Sequence, residues 1–78
     1  MIEIKTFAAF TDYFPQQFCV QEPLRNVLDL RVLLGARNPE AEKLLNTARF
    51  AINHHFISED AKIEDGAIVY LIPPSGGG

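Results

Sequence analysis

The chain has one cysteine, Cys19, no run of more than six consecutive apolar residues, and no cluster of basic side chains. A single cysteine cannot close an internal disulfide, and it excludes an iron–sulfur cluster held by four cysteines. The N-terminal stretch lacks the charged start, apolar segment and cleavage site of an export signal, so a cytoplasmic location is expected. The longest apolar run, Ala67 to Ile72, is far below the ~20 residues that span a bilayer, and no membrane segment is expected. Seven Lys and Arg face ten Asp and Glu, and the basic residues are scattered from Lys5 to Lys62, which argues against a nucleic-acid partner. There is no internal repeat and no internal linker. At 78 residues the chain makes one domain with little room for an enclosed active site.

What is present is enough apolar material to fold, 47% of residues, arranged in short elements. Ile2, Ile4 and then Phe7 alternate, imperfectly, with Glu3 and Lys5, predicting a first strand. Thr11 to Pro15 breaks the pattern, and Phe18-Cys19-Val20 forms a second strand, suggesting a hairpin. Glu22-Pro23 suits a helix start, Leu24, Val27, Leu28 and Leu34 recur at helical spacing, and Gly35 offers a stop. Arg31 interrupts that stripe and is expected to bury its stem while leaving its guanidinium in water. Asn38-Pro39 with Glu40 and Glu42 supplies the cap, proline and first-turn acids of a shorter second helix, with Leu44, Leu45 and Ala48 turned inward. Phe50 to Ile52 and Phe56-Ile57 flank Asn53-His54-His55 as two short strands around a tight turn. After the Asp65-Gly66 turn, Ala67 to Ile72 reads as a central strand covered on both faces. This order gives an α+β, β-grasp (ubiquitin-like) fold over residues 1–72: a mixed sheet around one main helix plus a short second helix, with first and last strands side by side.

Pro73-Pro74-Ser75-Gly76-Gly77-Gly78 is then expected to form an extended, flexible tail. Prolines cannot extend a central strand, and glycines without a Cβ can thread a narrow channel. Six extended residues reach at most ~20 Å, enough to carry a terminal carboxylate into a neighbouring protein. Taken alone, the tail fits an idle end equally well.

The stretch from Asp65 to Gly78 resembles the close of the small, sulfur-carrying subunit of molybdopterin synthase: an Asp-Gly turn, an apolar strand, two prolines, two spacers and a final Gly-Gly. Ala51-Ile52-Asn53 with Phe56-Ile57 is similar to the family's turn between two short strands, and Phe7-Ala8 to its N-terminal motif. Two departures stand out: Gly76 where serine is common, and Thr11-Asp12-Tyr13-Phe14 where an Arg-Glu pair in a short helix is frequent. The second leaves open whether the early turn is helical.

A carboxylate carbon is a poor electrophile, so a partner must first convert it with ATP into an acyl-adenylate, from which sulfur can displace AMP. The resemblance implies a thiocarboxylate on Gly78 that donates sulfur to a pterin precursor held by the large catalytic subunit. It also implies an adenylating enzyme of the ubiquitin-activating type and no cofactor bound to this chain, the ATP being used by that partner. Gly76 and Gly77 would serve clearance. Phe7, Leu71, Pro73 and Pro74 are candidates for a docking surface, Leu71 being equally readable as core. Three other readings stay open: a carrier for thiazole synthesis, a protein modifier joined through Gly78 to a lysine, and a non-reactive binding module.

Other residues read more plainly. His54-His55 lacks a third ligand, and neighbours in an extended segment point apart, so no metal site is expected. Cys19 reads as core packing, and Glu59, Asp60, Glu64 and Asp65 as a solvated acidic loop.

Overall fold

The computed structural model describes residues 1–74. Five strands, β1 (Ile2–Thr6), β2 (Gln17–Val20), β3 (Arg49–Ile52), β4 (His55–Ile57) and β5 (Ile68–Ile72), make one sheet in the order β2-β1-β5-β3-β4. The central pair, β1 and β5, is parallel, with Ile4 beside Val69 and Thr6 beside Leu71. Antiparallel hairpins β1–β2 and β3–β4 extend the sheet on either side, and β3 runs antiparallel to β5. This is the β-grasp arrangement expected from the order of elements, with the first and last strands adjacent at the centre.

One face of the sheet is covered by helix α1 (Val27–Arg37) and the short α2 (Glu42–Asn46). Alternation along the strands sends Ile2, Ile4, Val69, Leu71, Phe50 and Val20 to that side, where they meet Val27, Leu30, Leu34 and Leu45. Each such large side chain, fully removed from water, contributes ~1.5–3 kcal/mol before chain entropy is subtracted. Thr6 occupies the same row as Ile2 and Ile4, and it is buried because its hydroxyl donates to Pro15 O at 2.9 Å.

Several expectations shift. Helix α1 starts at Val27 rather than near Pro23, because Asn26 is the cap: its side chain accepts from Asp29 N at 3.0 Å. Gly35 does not stop it. The helix runs on to Arg37, and Asn38 ends it while its side chain accepts from Glu40 N at 3.2 Å to start the turn Pro39–Ala41 that leads into α2. The early segment is helical after all, a single 3-10 stretch at Ala8–Asp12 with Phe10 buried. β5 is central but covered on one face only: Val69 and Leu71 are buried, while Ile68 is exposed and Tyr70 and Ile72 are half-buried.

Arg31 is also far from a solvated edge. Only 13% of its side chain is exposed, and its guanidinium donates to Leu45 O and, at 3.5 Å, to Ala48 O. It pairs with Glu59 at 3.2 Å and lies 5.1 Å from the Phe50 ring centre. Leu45 O also accepts from the Ala48 N–H at 3.1 Å, and a planar fork of N–H groups can reach both it and Ala48 O just beyond the end of α2.

Candidate functional site

The last described residues leave the sheet from its middle. β5 is held by β1 as far as Leu71 and by β3 as far as Ile72, which lies opposite Arg49. Pro73 has no N–H to continue the ladder, and Pro74 is exposed. Gly76, Gly77 and Gly78 lie outside the described residues.

Leu71 does not belong to a contact surface. It is fully buried on the helical side, between Thr6 and Phe50, because strand parity places it with Val69. The side chains that lead toward the tail on the open face are Tyr70 and Ile72. Phe7, by contrast, is 45% exposed and stacks on Tyr70, with ring centres 5.8 Å apart and planes within 5°. Its placement depends on Ala8, whose φ of +52° is rare for a residue with a Cβ and turns the chain sharply out of β1.

The open face is built across strands. Lys5 of β1 sits opposite Tyr70, its ammonium 5.8 Å from the ring centre. Arg49 of β3 lies 3.9 Å over the ring of Phe56 on β4, a residue 55% exposed. Between them a shallow cavity of about 190 Å³ is lined by Ala51, His54, Phe56, Tyr70 and Ile72. Cys19 is on this face too: it lies opposite Glu3 and is exposed, the reverse of the expected core position, because Val20 opposite Ile2 takes the buried parity. Tyr70, Arg49 and Phe56 escaped the sequence reading. The available signal was period-two alternation from buried Leu71, which puts Tyr70 outward, together with the register of the Asn53-His54 hairpin.

The four carboxylates expected to form a solvated acidic loop each have a local partner. Glu59 pairs with Arg31, Asp60 accepts from the Ser58 hydroxyl at 2.6 Å, Glu64 lies 3.9 Å from Lys62, and Asp65 pairs with the Met1 amino group. His54 and His55 line different cavities. Among the described residues no three His, Cys, Asp or Glu side chains come together as a metal-ligand set. The Arg37 guanidinium, 2.7 Å from both Glu22 carboxylate oxygens, holds Glu22 below the usual carboxylate range. The backbone N–H and the side chain of Arg25 do the same for Asp29. No helix among the described residues is long and apolar enough to cross a membrane.

The sequence profile of the ThiS family matches residues 4–78, nearly the whole chain and all of the glycine tail. The chain belongs to the ThiS family. Solved structures share the fold of this ThiS-family chain at low identity. One is the complex of subunits 1 and 2 of molybdopterin-converting factor from Helicobacter pylori 26695, matched at 23% identity and TM-score 0.71 over 99% of this chain and 97% of that one. A Pyrococcus furiosus protein assigned as molybdopterin converting factor subunit 1 matches at 22% identity and TM-score 0.81, covering 94% and 95% of the two chains. SAMP1 from Haloferax volcanii matches at 20% and 0.78, covering 99% and 98%. No curated protein matches the sequence significantly.

Proposed function

We propose that this ThiS-family chain is a sulfur carrier: Gly78 ends its active form, an adenylating partner activates the Gly78 carboxylate with ATP, and sulfur replaces AMP to leave a thiocarboxylate. The nucleophilic sulfur then attacks a pterin precursor in the large subunit of molybdopterin synthase, in the cytoplasm, and hydrolysis of the resulting thioester leaves the sulfur on the pterin and restores the Gly78 carboxylate. This chain contributes the acyl carbon and its delivery, and the pocket belongs to the partner.

The observation that carries the reading is the family match through residue 78, set on a fold whose last strand is central and held by β1 as far as Leu71 and by β3 as far as Ile72. A rigid origin with a short spacer limits where the carboxylate can go, which favours insertion into one pocket over diffusion. The Pro73-Pro74 approach favours the pterin route over thiazole synthesis, and the shared fold of the Helicobacter two-subunit complex supports a large-subunit partner. Gly76 and Gly77 provide clearance, because a Cβ there would widen the chain where it enters the pocket.

The test is a variant extended by uncleavable residues after Gly78. It is expected to fold normally, to accept no sulfur, and to support no cofactor synthesis. Cofactor synthesis by the untrimmed variant would refute the carrier role, and a ladder of larger lysine-linked conjugates from the unextended chain would favour the modifier reading.

A further inference from the structure

Helix α1 carries a second apolar row on the side turned away from the sheet. A helix that packs on one side normally shows a single apolar stripe, and Val27, Leu30 and Leu34 supply it here. Leu28 and Val32 nevertheless project into solvent, 46% and 64% exposed, and exposed Ala36 continues their i, i+4 row. The two halves of this row differ in shape. Toward the N-terminus it is a ridge made by Leu28 and Val32, whereas toward the C-terminus it borders a groove of about 400 Å³ lined in part by Gly35, Ala36, Pro39, Glu42 and Leu45. The charges divide in the same sense. Arg25, 89% exposed just ahead of Leu28, donates from Nε to Asp29 at 3.2 Å, while its terminal nitrogens donate to no group among the described residues. Glu42, on the groove, has no ion-pair partner among them.

We propose that α1 docks a second copy of this chain, the two helices running antiparallel about a two-fold axis at Val32. A two-fold contact needs one surface complementary to itself, and antiparallel pairing sets ridge against groove twice: Leu28 of each copy enters beside Gly35 and Ala36 of the other, and Arg25 of each meets Glu42 of the other. Antiparallel axes also bring opposite ends of the helix dipoles together. A contact one helix wide falls at the low end of interface size, below ~1,200 Å², so a weak dimer with a Kd of ~10–100 µM is expected. The covered side is opposite the open sheet face, so the dimer leaves both open faces and both points of tail departure free and presents two tails at once. Nothing in this pairing depends on the sulfur-carrier reading.

Sedimentation equilibrium of the full chain between ~10 µM and ~1 mM tests the pairing, and the wild type is expected to show a monomer–dimer equilibrium with no higher state. Val32→Asp brings two carboxylates together on the axis and is expected to raise Kd at least ~10-fold, while circular dichroism melts should show an unchanged fold at so exposed a position. Arg25→Glu and Glu42→Arg are each expected to raise Kd by ~5-fold or more alone, and an equimolar mixture of the two should associate at near wild-type strength, because both contacts then regain opposite charges. Charges that matter only within their own chain would give no such recovery. Where a reversal at Arg25 disturbs the start of α1, Val32→Asp decides by itself. A wild type that stays monomeric at the highest concentration, a dimer untouched by Val32→Asp, or a mixture of folded reversal variants no stronger than either alone would overturn the proposal, the first of these leaving the face to a different protein.

Discussion

Leu71 is enclosed on the helical side of the sheet, while Tyr70, one residue earlier, lies on the open side beside Phe7 and Lys5. The two side chains should therefore respond oppositely to substitution. Leu71→Asp places a carboxylate among Thr6, Phe50 and the helix, and is expected to cost more than ~3 kcal/mol, enough to unfold most of the protein in a urea titration. Tyr70→Ser should cost far less stability and act on partner binding. Arg31→Ala removes the donors to the Leu45 and Ala48 carbonyls and the packing over Phe50, and a loss of ~2–3 kcal/mol is expected by the same measurement. At Glu22 the folded-state pKa is depressed by Arg37, so the pair stabilises the fold above the ordinary carboxylate pKa of about 4 and ceases to do so as pH falls through the lower folded value. In Arg37→Ala the Glu22 midpoint, followed by NMR titration, should rise toward the ordinary value. An unchanged midpoint would show that Arg37 is not the cause.

At the scale of elements, the turn joining β3 and β4 places two non-glycine residues in the left-handed region, Asn53 at φ +53° and His54 at φ +68°. Two-residue hairpin turns of this type favour Asn-Gly, so His54→Gly is expected to raise stability by ~0.5–1 kcal/mol and to raise the melting temperature. The hairpin itself was legible from Asn53 between two apolar pairs, as was the Asn38-Pro39 helix start, because turn and cap chemistry is local, whereas the adjacency of the first and last strands followed from the order of elements and their parallel sense came only with the fold. The start of α1 was misread because Pro23 is a generic opener, whereas Asn26 acts through a side-chain bond to Asp29 that only the fold reveals. Gly35 was misread as a stop because glycine's usual signal is a positive φ, and here it continues the helix beside Leu45. Cys19 was misassigned to the core, and Leu71 left between core and surface, because in a one-sided sheet parity decides exposure, and neither the short Phe18-Cys19-Val20 stretch nor the apolar run Ala67 to Ile72 displays its parity. The placing of Arg49 over Phe56 on the open face depends on strand register, and only the outward side of Tyr70 follows from local alternation.

At the scale of the whole molecule, the account separates a rigid body from a consumable end. The β-grasp core is complete by Ile72, with β5 paired on both sides, so changes beyond Pro74 should leave the fold untouched. Gly77→Ala or deletion of Gly78 is expected to leave the melting temperature within about a degree while abolishing sulfur transfer to a pterin precursor in a reconstituted assay. Retained transfer with either variant would break the link between the glycine end and the chemistry. The most direct measurement is fragment-resolved mass spectrometry of the intact chain after incubation with its adenylating partner, ATP and a sulfur source. The account predicts one sulfur in place of one oxygen, localised to the Gly78 carboxyl group. An unaltered Gly78, or sulfur carried instead on Cys19, would contradict it.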